Sequence, residues 1–143
     1  VLNVFFHYSD RQLTIKNKVK IRAFIQDIFK AEKVTMKRID YIFCSDEFLL
    51  NINRSFLNHN TFTDIVTFDL SDHPNEIIGE IYISIDRVKE NATLHNCSFT
   101  TEILRVLFHG SLHLCGYKDK SKKDIIEMRG KEDFYISTYE LGL

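Results

Sequence analysis

The sequence predicts an α+β fold (α/β-like): a single domain over residues 1–143, with a mixed four-stranded sheet and about five helices packed on it. Three observations lead there. Strand-like and helix-like segments alternate along the chain. One strand pair, DIVTFDL (64–70) and IIGEIYISI (77–85), has a connection short enough for a hairpin, so the sheet is not purely parallel. The segment TTEILRVLFHGSLHLC is apolar nearly all round, which makes it a central helix rather than a surface one.

Each element follows from local pattern. Residues 1–7 are β-rich and read as a first strand. Over 16–32, Val19, Ile21, Phe24, Ile25 and Ile28 recur at helical spacing. RIDYIFC (38–44) is a second strand. Asp46 stands where an N-cap belongs, and FLLNINRSFL follows as a helix with Leu49, Ile52, Phe56 and Leu57 inward. The third and fourth strands flank SDHPN, a turn carrying the only proline. Asp86 is placed to cap the helix DRVKENATLHN. The apolar helix begins near Ser98 or Thr100 and runs to about Cys115, and a last helix spans 122–138. Repeats, low-complexity tracts and linkers are absent from the sequence.

Composition narrows the function. The chain is 44% hydrophobic and 27% charged, a globular balance, and no apolar run approaches the roughly 18 residues of a membrane span. VLNVFFHYSD reads as a strand rather than a signal peptide. Cys44, Cys97 and Cys115 are odd in number and widely spaced, which suits a reducing cytoplasm. Net charge is -1, yet between residues 10 and 40 nine Lys/Arg face four acids. That segment is either a solvated helix face or a patch that attracts phosphate. The phenylalanines at 5, 6, 24, 29, 43 and 68 fall in predicted elements and are assigned to the core, not to a base-stacking platform.

The candidate chemistry lies in FHGSLHLCGYKDK. His109 and His113 stand one helical turn apart on one face, close enough for two imidazoles to hold one ion. Gly116 falls where a helix C-terminus wants a left-handed residue, and the chain beyond it can bring Asp119 back over the histidines. Two nitrogens and one carboxylate oxygen are the donors of an open, catalytic zinc site, so one Zn2+ per chain is expected. Two imidazoles in an otherwise apolar helix would be poorly satisfied without such a partner. Cys115 points to another helix face and packs as a small hydrophobe rather than serving as a fourth ligand.

H-x3-H-x2-G-x2-D is similar to the zincin-like metal helix of metzincin peptidases, but the glutamate they require after the first histidine is Gly110 here. HGSLHLCGY more closely resembles the core motif H-G-x-L-H-L-x-G-Y of the YbeY family. TDIVTF (63–68) resembles that family's T-D-[VI]-[LV]-[ST]-F strand, and IIGEIYIS (77–84) its L-G-[DE]-I-x-[IL]-[CS] strand, in the same order and spacing. The resemblance implies a single metal-dependent hydrolase domain over 1–143. It further implies a single-strand-specific, zinc-dependent endoribonuclease for ribosomal RNA (16S rRNA 3′ end) maturation and ribosome quality control. RNA and the ribosomal small subunit are the implied partners, the cytoplasm the implied location, and neither DNA nor membrane is expected.

Two departures stand out. Asp119 replaces a third histidine common in the family, which lowers the net positive charge of the site by one unit. An arginine common six residues ahead of the Thr-Asp pair is Leu57 here, while Arg54, about one turn earlier, is a candidate to reach the same groove. Glu80 and Asp64 are the candidates for a proton acceptor or an orienting group; Asp64 otherwise bonds backbone amides where its strand begins, and Glu80 otherwise lies on a solvent face. His59 contacts RNA or is simply an exposed loop residue. Rival readings are a metal hydrolase of another substrate class, a peptidase in particular, and a metal-stabilised ribosome-binding protein with little nuclease activity.

Overall fold

The structure, a computed structural model, describes residues 1–142. In chain order the elements are β1 (Val4–Tyr8), α1 (Lys18–Ala31), β2 (Met36–Cys44), α2 (Asp46–Leu57), β3 (Ile65–Asp69), β4 (Ile77–Ser84), α3 (Ile85–Leu94), α4 (Phe99–Leu114) and α5 (Lys122–Glu140). The α+β class, the four-stranded mixed sheet and the five helices are as the sequence predicts.

The strand order is β1-β2-β4-β3. β1 and β2 pair in parallel, as do β2 and β4, each pair joined through helical connections; β3 runs antiparallel to β4 and forms one edge. Register then fixes the faces. Ile39, Tyr41, Phe43, Ile81 and Ile83 are buried on the face that meets α4. Strand and helix are tied there by the buried Tyr41 hydroxyl, which donates to the Leu107 carbonyl at 2.8 Å. The opposite face is partly covered by α2, over a small cluster of Cys44, Leu49 and Val66.

Helix starts differ from the sequence reading by a residue or two. Ser45 and Ser84 are the N-caps of α2 and α3, their hydroxyls accepting from the Phe48 and Arg87 amides at 3.1 Å. Asp46 and Asp86 lie within the first turns instead. Asp46 pairs with Arg87 at 2.7 Å, and Asp86 accepts from the Asp46 amide and pairs with Arg11. In α1 the buried face is Ile21, Ile25, Ile28 and Phe29, while Val19 is exposed. In α2 it is Leu49, Leu50 and Asn53, while Phe56 and Leu57 are exposed. The last turn of α2 lies at the margin of the small cluster, where the Phe56 ring meets Phe68 edge-on with centroids 6.0 Å apart. Among the described residues no helix is long and apolar enough to cross a membrane.

One close approach sets the depth of α4. A Cβ built on Gly110 would lie 3.0 to 3.1 Å from the side chains of Ile81 and Ile65. Both isoleucines are β-branched and stiff, so the neighbours cannot yield cheaply. Gly110→Ala is therefore expected to destabilise the fold by about 1–3 kcal/mol, read from the urea midpoint. An unchanged midpoint would mean that α4 is free to lift off the sheet.

Candidate metal centre

Helix α4 is buried along most of its length, with Leu107, Phe108 and Leu112 wholly inside. His109 and His113 are its opening to solvent, their side chains 20% and 27% exposed. Their rings meet edge to face, centroids 4.6 Å apart, on the wall of a cleft of about 810 Å³ between α4, α5 and the β3 edge.

The helix stops in a way that delivers the third group. Gly116 has φ +105, and its amide bonds the His113 carbonyl while the Tyr117 amide bonds that of Leu112, a Schellman stop. A Cβ on Gly116 would meet nothing within 4 Å, so glycine is demanded by backbone conformation and not by space. Past this reversal, Asp119 Oδ2 sits 3.2 Å from His109 Nε2 and 3.2 Å from His113 Nε2.

The far sides of both rings are committed. His109 Nδ1 is 2.6 Å from Glu132 Oε2, and His113 Nδ1 is 2.9 Å from the Tyr117 carbonyl. A carbonyl can only accept, and an ionised carboxylate likewise, so each Nδ1 carries the proton. In the neutral imidazoles each Nε2 then keeps its lone pair, on the side where Asp119 stands. One ligand atom from each of His109, His113 and Asp119 lies within 4.8 Å of the others, so the three could hold a metal ion. The donors and their spacing fit an open four-coordinate ion.

Glu132, on α5, escaped the sequence reading. Its side chain is only 5% exposed, and besides His109 it accepts from Arg105 Nη1 at 3.0 Å. A signal existed: Met128, Tyr135 and Ile136 are buried one turn to either side, so an acid inside that apolar stripe needed a partner. Burial pulls the His109 imidazole down, but the hydrogen bond and charge of Glu132, with Asp119 and Asp64 nearby, outweigh it, and its pKa is raised.

Asp64 lines the same cleft, and its carboxylate accepts from the Asn91 side-chain Nδ2 at 3.3 Å. Burial raises its carboxyl above the ordinary range, opposed by the charge of His109 and by its own backbone amide. Its main-chain carbonyl accepts from the Ser84 amide, which pairs the backbone at this point with the end of β4.

Two sequence candidates are not brought to the cleft. Gly79 and Ile81 face α4, so Glu80 between them points to the other side of the sheet, where it accepts from the Tyr82 hydroxyl at 2.8 Å. Arg54 is exposed and donates to the Asn60 side chain; Leu57, not Arg54, contributes to the cleft wall. His59 is an exposed loop residue whose amide bonds the Asn53 carbonyl. Nor do the cations of residues 10–40 line the cleft: Lys18 and Lys20 lie over the rings of Tyr8 and Tyr139. The basic groups that do line it are Arg105, Lys120 and Arg129, all from the second half of the chain. Gly110, where a metzincin-type peptidase carries its glutamate, presses on the sheet rather than facing the cleft.

A family model described as "Endoribonuclease YbeY" matches residues 6–140. The chain is 48% identical over 134 residues to "Endoribonuclease YbeY" of Cytophaga hutchinsonii, covering 94% of each chain. It is 43% identical over 136 residues to the protein of that name in Flavobacterium johnsoniae, covering 95% of this chain and 96% of the other. Among solved structures it is similar to the solution structure of TM1509 from Thermotoga maritima, with a TM-score of 0.57 and 26% identity over 93% of this chain and 86% of that one.

Proposed function

The chain belongs to the YbeY endoribonuclease family, and from that premise we propose that it is a zinc-dependent, single-strand-specific endoribonuclease of ribosomal RNA maturation. Its place of action in this reading is the 16S rRNA 3′ end on the small subunit, in the cytoplasm, with a part in ribosome quality control. The metal half of the proposal is carried by one observation: two Nε2 lone pairs and a carboxylate oxygen converge, while both Nδ1 atoms are bonded behind them.

When bound, zinc supplies Lewis acidity, polarising a phosphoryl oxygen and making water easier to deprotonate. His109, His113 and Asp119 would hold the ion. Asp64, made more basic by burial, accepts the proton of the attacking nucleophile. Arg105 is committed to Glu132 and Asp133, so the cations left for the phosphodiester are Arg129, 53% exposed with its nearest carboxylate 3.9 Å away, and Lys120 in the loop beside Asp119.

The test is cleavage of structured ribosomal RNA and of unfolded casein by zinc-loaded wild type and Asp119→Ala side by side. Wild type is expected to cut the RNA and spare casein, and the variant to lose at least about a hundredfold in rate, since several kcal/mol of charge stabilisation leaves with the ion. Equal RNA cleavage by both preparations would point to a contaminating nuclease and remove the proposal. Binding of RNA without cleavage would favour the ribosome-docking alternative.

A further inference from the structure

The loop that carries Asp119 has one side chain that reaches into the protein interior. Among residues 116–123 only Tyr117 is even partly buried; the rest are exposed. Tyr117 is also the residue whose carbonyl orients His113. Its hydroxyl donates at 2.6 Å to Glu32, the C-cap residue of α1, far away in sequence. Glu32 is itself 10% exposed and gathers two further donors from α5, the Tyr135 hydroxyl and Lys131 Nζ, the latter at 3.2 Å. Burial would raise its carboxyl, but the three hydrogen bonds and the lysine charge outweigh that and hold it below the usual carboxylate range. An ionised acid enclosed by two phenols and an ammonium is a rigid fixture.

From this we infer that Glu32 is a positioning residue for the metal loop: by gripping the Tyr117 hydroxyl it keeps the Tyr117 carbonyl on His113 Nδ1 and Asp119 over the cleft. The two imidazoles are then oriented by two carboxylates, His109 directly by Glu132 and His113 through Tyr117 by Glu32. Helix α5 braces both, since Glu132 lies beside Lys131 on the same turn. The inference rests on the metal reading of the site.

It is tested by zinc affinity, measured by competition with a chromophoric chelator, for wild type, Glu32→Gln, Glu32→Ala, Tyr117→Phe and the Ala/Phe double variant. Urea unfolding in EDTA runs alongside. Tyr117→Phe keeps the ring and the carbonyl and removes only the grip. It is expected to weaken zinc about tenfold, the lower end of what outer partners of metal ligands contribute. Glu32→Ala should do the same, Glu32→Gln should recover part of the loss, and the double variant should be no weaker than either single one. Losses that multiply would show that Glu32 does not act through Tyr117. Lower urea stability with unchanged zinc affinity would reduce Glu32 to a structural role and overturn the inference, and should Glu32→Ala not fold, unchanged affinity in Tyr117→Phe does so alone. A wild type that binds no zinc removes the site reading itself and the inference with it.

Discussion

His109→Ala is expected to abolish stoichiometric zinc binding and to cut RNA cleavage by about three orders of magnitude or more, because the whole Lewis-acid contribution leaves with the ion. In the proposed site His109 would supply one of three donors, and the two left, on the last turn of α4 and the loop after it, do not make a site. The fold itself should survive. The core beneath α4 is closed by Phe108, Leu107 and Leu112 against Ile81 and Ile83, none of which needs the imidazole. Circular dichroism of the variant, and of wild type in EDTA, should therefore stay native, unlike that of domains held together by structural zinc. Metal analysis of the purified proteins decides the point: equal zinc in parent and variant would end the account. His73→Ala, which alters an exposed histidine of the β3–β4 turn, is the control and should keep both zinc and activity. Affinity should also fall on acidification, beginning above the ordinary imidazole pKa, because a proton on His109 excludes the ion and that pKa is raised.

What the sequence disclosed and what it withheld divide by range. His109, His113 and Asp119 were legible because a helical turn and a glycine stop place them by local geometry alone. The hairpin of β3 and β4 was likewise legible from its short connection. Caps were misplaced because Ser and Asp are equally good in that role, and only the acid–arginine pairs formed between α2, α3 and the first loop decide which one is used. The side on which Glu80 lies was left open for a different reason. Strand alternation divides residues between two faces but does not say which face receives α4; that comes from Gly79 and Gly110 admitting the helix on one side. Phe56 and Leu57 continue the apolar period of α2, yet they lie outside the buried cluster beneath it and stay exposed. Glu132, Arg129 and Glu32 could not be placed at the site at all, because their roles depend on how α5 and α1 dock against α4.

Glu132 is the sharpest case of that long-range dependence, and its replacement should be felt in two quantities at once. The carboxylate is enclosed, accepts from His109 Nδ1 at 2.6 Å and Arg105 Nη1 at 3.0 Å, and is the acceptor that fixes the His109 tautomer. Removing one partner of a buried ion pair costs about 3–5 kcal/mol, but Arg105 keeps Asp133 at 2.8 Å and is 20% exposed, so about 2–3 kcal/mol is expected for Glu132→Ala. Glu132→Gln retains the shape and one acceptor oxygen but turns an amide donor towards a donor, and should lose about 1–2 kcal/mol. Zinc affinity should fall in the same order, by about 10–100-fold for alanine and less for glutamine. The imidazole reports independently. Losing the carboxylate removes the largest influence that raises the His109 pKa, so its NMR titration in metal-free protein should move down in both variants. The sign of the pH dependence follows. A raised folded pKa means that the His109–Glu132 contribution is fully present below the unfolded imidazole value and is lost as pH rises through the folded one, so the stability gap between wild type and Glu132→Gln should narrow towards alkaline pH. Three proteins with the same urea midpoint, the same zinc affinity and the same imidazole titration would make Glu132 a bystander, and the orientation of His109 would then have to come from the helix alone.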